Sequence, residues 1–168
     1  MLQIGNSNLV SNSGGGGNLQ GVGLGTVVSL GHNLADDDAN GLVTATGDQT
    51  VVAVSVIDAV LADNGGPTLT HALVPGSHAI DAGDNSLAVD PAPDGVLGSG
   101  DDVALITDQR LTGFDRIVDG SVDIGAVELQ RPKVEVFIDE PAVGESGLNA
   151  VTITVTTDIP VIGDQSSN

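Results

Sequence analysis

Apolar residues occur along this chain in short β-branched runs that are separated by clusters of Gly, Asp and Asn. The clearest runs are TVVSL (26–30), TVVAVSVI (50–57) and DVALIT (102–107), and their turn-forming boundaries predict short strands. LTHALV and SHAIDA predict two further brief strands, separated by a Pro-Gly turn. Apolar residues are nowhere sustained at helical spacing, although 51–62 is compatible with one short helical turn. The pattern therefore predicts an all-β protein.

The apolar pattern changes after Arg131. From Val134 to Ile138, and again from Val151 to Val155, aliphatic residues alternate with Glu, Phe or Thr. A period of two predicts strands with one buried and one solvated face, which is typical of a β-sandwich. The segment 132–168 is much shorter than the roughly 100 residues of a sandwich domain. It is therefore predicted to be a truncated, β-sandwich-like segment.

Residues 1–25 are rich in Gly, Asn and Ser and contain the consecutive glycines 14–17. This composition is typical of a flexible linker. The alternative is a last coil of a β-solenoid, in which Asn and Ser stack at turns and isolated aliphatic residues point inward. The sequence is accordingly divided into the segments 1–25, 26–131 and 132–168.

Composition narrows the kind of core and the kind of partner. Aromatic residues make up only 1% of the chain, so the core is predicted to consist of Val, Leu, Ile and Ala. The formal net charge is −19, with only four Lys and Arg residues. Such a chain repels nucleic-acid phosphates and anionic lipid surfaces and attracts cations, calcium above all. The absence of cysteine excludes disulfides, thiol chemistry and Cys-bound zinc.

Two features of the sequence bear on location. The N-terminal segment MLQIGNSNLV has neither the basic region nor the apolar run of a signal peptide. No apolar run reaches the roughly 18 residues of a membrane span, so no membrane insertion by this chain is expected. If the protein is extracellular, the chain is expected to have lost its export signal or to begin inside a longer reading frame.

Five blocks occur in order between residues 29 and 128. They read SLGHNL (29–34), GDQT (47–50), LADNGGPTLTHALVPGSHAIDAGD (61–84), TDQR (107–110) and VDIGAVE (122–128). This order resembles the choice-of-anchor Q domain, the C-terminal part of bacterial surface proteins with right-handed parallel β-helices. The tail VEVFIDEPAVGESGLNAVTITVTT is similar to the opening strands of a Calx-beta module.

The resemblance implies a fold and a location. It implies that 26–131 forms the terminal coils and cap of a right-handed parallel β-helix in a secreted or cell-surface bacterial protein. Three positions depart from the family pattern. His78 stands in place of a proline, Leu111 in place of a glycine, and Val127 in place of an aromatic residue.

Turn-forming and charged residues within these blocks are predicted to hold the cap together. The Asn-Gly-Gly-Pro stretch at 64–67 has the composition of a tight turn, and Asp81 and Asp84 are placed for an Asx-type turn. Arg110 is predicted to clamp Asp81, Asp84 or Asp123 with its planar guanidinium. The predicted structural set is Asn64, Gly65, Gly66, Pro67, Asp81, Asp84, Asp108, Arg110 and Asp123.

The alternative for the same residues is catalysis. Parallel β-helices include pectate lyases, which use an arginine as base beside carboxylate-bound calcium, and glycosidases use two carboxylates. Arg110 with Asp81, Asp84 and Asp108 supplies both residue types. A place in the terminal cap rather than on the lateral face of the helix favours the structural interpretation. The lack of the aromatic residues that sugar-binding subsites use favours it as well.

The loop DPAPDGVLGSGDD (90–102) carries a different signal. Asp90, Asp94, Asp101 and Asp102 lie in this Gly- and Pro-rich stretch, which can supply the roughly six to eight oxygens of a calcium site. The loop lacks the final glutamate of an EF-hand. The alternative is a solvated acidic hairpin, and ADDDAN (35–40) is more typical of an exposed turn.

The histidines do not complete a recognisable site. On neighbouring strands His71 and His78 would share a site, but nothing else completes a zinc set, so each is predicted to be a partly buried, hydrogen-bonded side chain. Ser77 beside His78 lacks the G-x-S-x-G elbow of a hydrolase.

The predicted function is that of a non-catalytic structural or adhesion module of a secreted or cell-surface bacterial protein. The module is predicted to cap a β-helix and join it to a following module, with calcium as the one candidate cofactor. The expected partner is a surface polysaccharide or protein, and neither nucleic acid nor membrane. Two alternatives stay open: a fragment of a β-helical polysaccharide lyase or glycoside hydrolase, and an incomplete chain that does not fold alone.

Overall fold

The structure, a computed structural model, describes residues 1–10, 18–19 and 26–131, and the strands at 134–138 and 153–157. The chain divides into two units, Met1–Gln130 and Arg131–Asn168. Short strands and turns build the first unit. Its strands are β1 (Leu2–Gly5), β2 (Asn8–Leu9), β3 (Val27–Gly31), β4 (Leu34–Ala35), β5 (Gln49–Thr50), β6 (Val89–Asp90) and β7 (Val103–Ala104), with 3-10 turns at Ala39–Gly41, Ala53–Ser55 and Asn85–Leu87.

The first unit combines parallel and antiparallel pairing. Strand β1 pairs with β3 in parallel, with Leu2 opposite Val27. Strands β2, β4 and β5 form a second parallel sheet in that order, and β6 and β7 form an antiparallel pair. Beyond β5, the β6–β7 pair is accompanied by single bridges, such as Ala62 with Thr70 and Thr107 with Asp115.

The prediction of a right-handed parallel β-helix is wrong. The sheets formed by the described residues have two or three strands of two to five residues, and none of them closes or winds into a solenoid. Local hydrogen bonds end the strands early, because side chains offer the backbone an alternative to the ladder. In TVVAVSVI, for example, the Ser55 hydroxyl donates to the Val52 carbonyl at 2.6 Å, and a 3-10 turn forms where a strand was expected.

The individual strand predictions fare unequally. The run 26–30 is confirmed as β3, and the short helical turn within 51–62 is confirmed at Ala53–Ser55. Of the run 102–107 only β7 is a strand, and SHAIDA forms turns rather than a strand. The Pro-Gly turn is confirmed, since the Ser77 N–H donates to the Val74 carbonyl across it at 3.0 Å.

The core of the first unit is small and aliphatic. Leu34, Val56, Ala79 and Ile124 form its centre and are completely buried. Their side chains come from β4, a 3-10 turn and two irregular segments, so the core joins parts of the chain that are distant in sequence. The prediction of a core made of Val, Leu, Ile and Ala is confirmed for the described residues.

The second unit contains an antiparallel pair, β8 (Val134–Ile138) with β9 (Ile153–Thr157). Val134 lies opposite Thr157, and Ile138 lies opposite Ile153. The two strands predicted from the alternating pattern are therefore confirmed. The remainder of 132–168, on which the sandwich prediction depends, lies outside the described residues.

Candidate functional site

Asp108 and Arg110 form a buried ion pair within one turn, which is closed by the Leu111 N–H donating to the Asp108 carbonyl at 3.0 Å. Arg110 Nε donates to both carboxylate oxygens of Asp108, at 3.2 and 3.0 Å, and Nη2 donates to Oδ2. The Asp108 carboxylate also accepts the backbone N–H groups of Arg110 (2.7 Å) and Glu128 (2.9 Å). The Asp108 side chain is fully buried and that of Arg110 is 9% exposed. The Asp108 carboxylate is therefore held by the Arg110 guanidinium and by two backbone N–H groups.

The predicted Asn-Gly-Gly-Pro turn packs directly on this ion pair. The Asn64 carbonyl accepts from Arg110 Nη1 at 3.4 Å, and the guanidinium stacks on the Phe114 ring, 4.1 Å from its centroid. A Cβ atom at Gly65 would lie 2.4 Å from the Phe114 ring, and one at Gly66 would lie 2.6 Å from the Arg110 Cα. Both glycines also have positive φ angles, 89° and 82°. Glycine is required at this turn by contact and by backbone conformation together.

A second buried ion pair, Arg116 with Glu128, lies in the same region. Arg116 Nη1 donates to Glu128 Oε2 at 3.1 Å, and Nη2 donates to the carbonyls of Asp123 (3.3 Å) and Gly125 (2.8 Å). The Glu128 carboxylate also accepts the backbone N–H groups of Val118 (3.1 Å) and Asp123 (2.9 Å). Glu128 is only 1% exposed and Arg116 6%.

The Asp123 side chain bonds to the backbone of Asp81, 42 residues away, and to that of Leu129, six residues away. Its Oδ1 accepts the Asp81 N–H at 2.7 Å and its Oδ2 accepts the Leu129 N–H at 2.6 Å. Asp123 is 1% exposed. A charged carboxylate at such a position is stabilised by the N–H groups it accepts. We refer to Asp108, Arg110, Arg116, Asp123 and Glu128 as the charged network.

Burial shifts the proton affinity of several network groups. Desolvation raises the pKa of Glu128 to about 7, helped by the nearby Asp123 charge and opposed by hydrogen bonds and by Arg116. Desolvation also raises the pKa of Asp123, against the N–H groups of Asp81 and Leu129. The pKa of Arg116 is lowered, again by desolvation. The guanidinium remains charged at neutral pH, because arginine stays protonated in proteins.

Asp84 has the predicted local role and an additional long-range one. Its carboxylate accepts from the Ser86 N–H at 2.8 Å and from the Ser86 hydroxyl at 2.7 Å, and these bonds lower its pKa. Its backbone is paired with the side chain of Asn6, which donates to the Asp84 carbonyl and accepts its N–H, both at 2.8 Å. The Asx-type turn at Asp84 is thereby confirmed.

The expected partners of Arg110 were wrong, although the predicted clamp exists. Arg110 holds Asp108, while Asp84 and Asp123 accept other donors and Asp81 gives its N–H to Asp123. The sequence reasoning missed Arg116 and Glu128 altogether. The available signal was the scarcity of cations, because Arg116 is one of only three arginines. Burial of so scarce a cation implies a structural partner.

The four aspartates of the 90–102 loop, which we call the acidic loop, make local bonds. Asp90 and Asp94 accept the N–H groups two residues ahead, Asp101 accepts the Ser99 hydroxyl, and Asp102 Oδ2 accepts the Gly98 N–H. Asp102 Oδ1 is buried and accepts no hydrogen bond from the described part of the chain. Among the described residues, no three His, Asp or Glu side chains lie close enough to hold a metal ion together.

The histidines and Ser77 do not converge. His71 and His78 are exposed, which corrects the prediction that they are partly buried. His71 Nδ1 lies 2.8 Å from the Asp58 carbonyl. Ser77 is buried, and its hydroxyl accepts the Ala79 N–H at 3.1 Å, so it serves a turn.

An open cavity of about 550 Å³ lies beside the charged network. Asp108 and Arg116 reach its wall, but both are more than nine-tenths buried, and both Asp108 carboxylate oxygens and both terminal Arg116 nitrogens take part in the bonds described above. Leu105, Leu111 and Ala126 contribute apolar surface to the cavity. The arrangement shapes a groove and holds charge inside the fold, and both Asp108 carboxylate oxygens accept hydrogen bonds from the protein itself.

Comparison with known proteins found no match among protein-family models, curated proteins or solved structures. In the described parts of the chain, no helix has the length and apolar character needed to cross a membrane.

Proposed function

We propose that this chain is a non-catalytic structural module of a secreted or cell-surface bacterial protein. The observation that carries the proposal is the state of the charged network. Its arginines and carboxylates are buried and bind each other and the backbone. A lyase or glycosidase needs an arginine or carboxylate that reaches its substrate. These groups instead hold turns together.

The charge of the surface favours a partner other than nucleic acid or a membrane. Arg110 and Arg116 are the two Lys or Arg residues of the first unit, and both are buried. The first unit therefore presents an anionic exterior, which repels phosphate backbones and anionic lipids. The proposed partner is a surface polysaccharide or protein. The proposed structural role is to join this unit to neighbouring modules.

The enzymatic alternative is tested by activity measured together with folding. The full chain is incubated with polygalacturonate and neutral polysaccharides, and unsaturated products and new reducing ends are measured against a pectate lyase as positive control. We expect no turnover from wild type or from Arg110→Ala. Turnover by wild type that Arg110→Ala abolishes, with circular dichroism unchanged, would show that the arginine is catalytic.

The proposed location is tested on intact cells of the source bacterium. Antibodies raised against the chain are expected to label intact cells, or the protein is expected in the culture medium. External protease should remove the cell-bound label without lysing the cells. Label that appears only after lysis contradicts the proposed location.

A further inference from the structure

The buried charges of the first unit do not balance. The charged network contains three carboxylates (Asp108, Asp123 and Glu128) and two guanidinium groups, those of Arg110 and Arg116. Asp108 and Arg110 neutralise each other through Nε bonds of 3.0 and 3.2 Å and a short Nη2 contact. Arg116 is then the single cation shared by two carboxylates. With all groups ionised, the interior holds one excess negative charge, which is costly in a medium of low dielectric constant.

These two carboxylates also connect the segments that form the region. Glu128 accepts the N–H groups of Val118 and Asp123, and Asp123 accepts those of Asp81 and Leu129. The bond between Asp123 and Asp81 joins positions 42 residues apart. The stability of these connections therefore depends on the free-energy cost of burying the negative charges of Glu128 and Asp123.

We propose that Glu128 and Asp123 form an acid-strengthened lock, which takes up one proton in the folded protein and holds residues 81–129 more firmly in mild acid than in mild alkali. The charged groups that face Glu128 from the described segments around it are Arg116, Asp123 and Asp108. Arg110 Nη2 donates to the backbone carbonyl of Glu128. Asp81 faces Asp123 from the far side.

The pKa values give the direction and the window of the effect. The Glu128 pKa is about 7 in the folded protein against 4.5 for an ordinary glutamate. Between these values the folded state binds more protons than the unfolded state, so the free energy of unfolding falls as pH rises. The stabilisation is fully present below pH 4.5 and is lost as pH rises through about 7. Asp48 and Asp84, whose pKa values are lowered from 3.8, act in the opposite sense and only at much lower pH.

The first test compares the pH dependence of unfolding in three proteins. Urea unfolding of the full chain is followed by circular dichroism between pH 5.5 and 8.5 for wild type, Glu128→Gln and Asp58→Asn. Asp58 is an exposed carboxylate with a local bond to the Val60 N–H, and its variant is the control. In wild type the unfolding equilibrium constant should rise with pH, by at most about tenfold per pH unit for one proton. Glu128→Gln should remove most of this slope, and Asp58→Asn should keep it.

The comparison with Glu128→Gln is needed because it isolates the part of the wild-type pH dependence that comes from the Glu128 carboxyl. A full wild-type slope in Glu128→Gln overturns the proposal. A second measurement decides the matter if that variant does not fold. The chain contains four glutamates, and in wild type labelled with ¹³C-glutamate one carboxyl resonance should titrate near pH 7. Four carboxyl resonances that all titrate near the ordinary glutamate pKa of 4.5 would also overturn the proposal.

Discussion

The acidic loop and the charged network both contain aspartates, but the aspartates have different roles in the two regions. In the loop, Asp90 and Asp94 are exposed and bond to backbone groups two residues away. In the network, Asp123 and Glu128 are buried, and the bonds that pass through them join positions up to 42 residues apart. Neither region is built on long strands or helices. Burial and the sequence separation of the bonded partners therefore decide whether a carboxylate shapes one turn or holds the fold.

The largest effect expected from this comparison comes from removing a network carboxylate. Asp108→Ala leaves the Arg110 guanidinium and two N–H groups buried without their acceptor. We expect a loss of about 3–5 kcal/mol in the free energy of unfolding, since one partner of a buried ion pair is removed. Urea unfolding followed by circular dichroism measures the loss.

The matched control for this change lies in the acidic loop. Asp101→Ala removes an exposed carboxylate bonded to Ser99 and should cost no more than about 0.5 kcal/mol. Similar losses in the two variants would show that burial does not separate the two regions.

A smaller effect is expected at the turn that supports the network. Gly65→Ala places a methyl group 2.4 Å from the Phe114 ring at a φ of 89°. Gly113→Ala meets a comparable φ of 97°, but with open space around the new methyl group. The control should cost about 1–2 kcal/mol from backbone strain alone, and Gly65→Ala should cost about 1–3 kcal/mol more from overpacking.

Thermal unfolding by circular dichroism compares the two glycine variants. Equal melting temperatures would mean that the Phe114 ring moves aside freely. In that case the contact between the turn and the network adds nothing to stability.

The smallest expected effect concerns calcium at the acidic loop. The sequence predicts a calcium site in this loop from its four aspartates, and we keep it as a proposal; Oδ1 of Asp102 is buried and accepts no hydrogen bond from the described residues. Calcium should raise the melting temperature of wild type by a few degrees relative to chelator, because a ligand bound to the folded state alone stabilises it. Asp102→Asn should abolish the rise. A wild-type melt that is indifferent to calcium contradicts the proposal.

Features that depend on neighbours in sequence could be predicted from the sequence. Examples are the β3 strand, the β8 and β9 alternation, and the Asx-type turn at Asp84. The need for glycine in the Asn-Gly-Gly-Pro turn was also predictable, because a tight turn requires backbone angles that glycine adopts readily. The choice of Arg110 as a clamp was correct for a compositional reason, since cations are scarce in this chain.

Features that depend on distant partners could not be predicted in this way. The resemblance to β-helical proteins predicted the wrong fold. The order of the motifs contains no information on strand length, which local hydrogen bonds limit here. The true partner of Arg110 and the pairing of Arg116 with Glu128 also escaped prediction. Many aspartates of equal chemistry compete for few arginines along the chain, and spacing alone does not rank them.

The sequence by itself determined an acidic, cysteine-free chain with short strands, an aliphatic core and glycine-dependent turns. Only the tertiary structure decided which carboxylates are buried, and with them the excess negative charge around Glu128 and Asp123. The physical reason is that turn conformation depends on a few adjacent residues. The proton affinity of a carboxylate depends on solvent exclusion and on charges that the fold brings from distant positions.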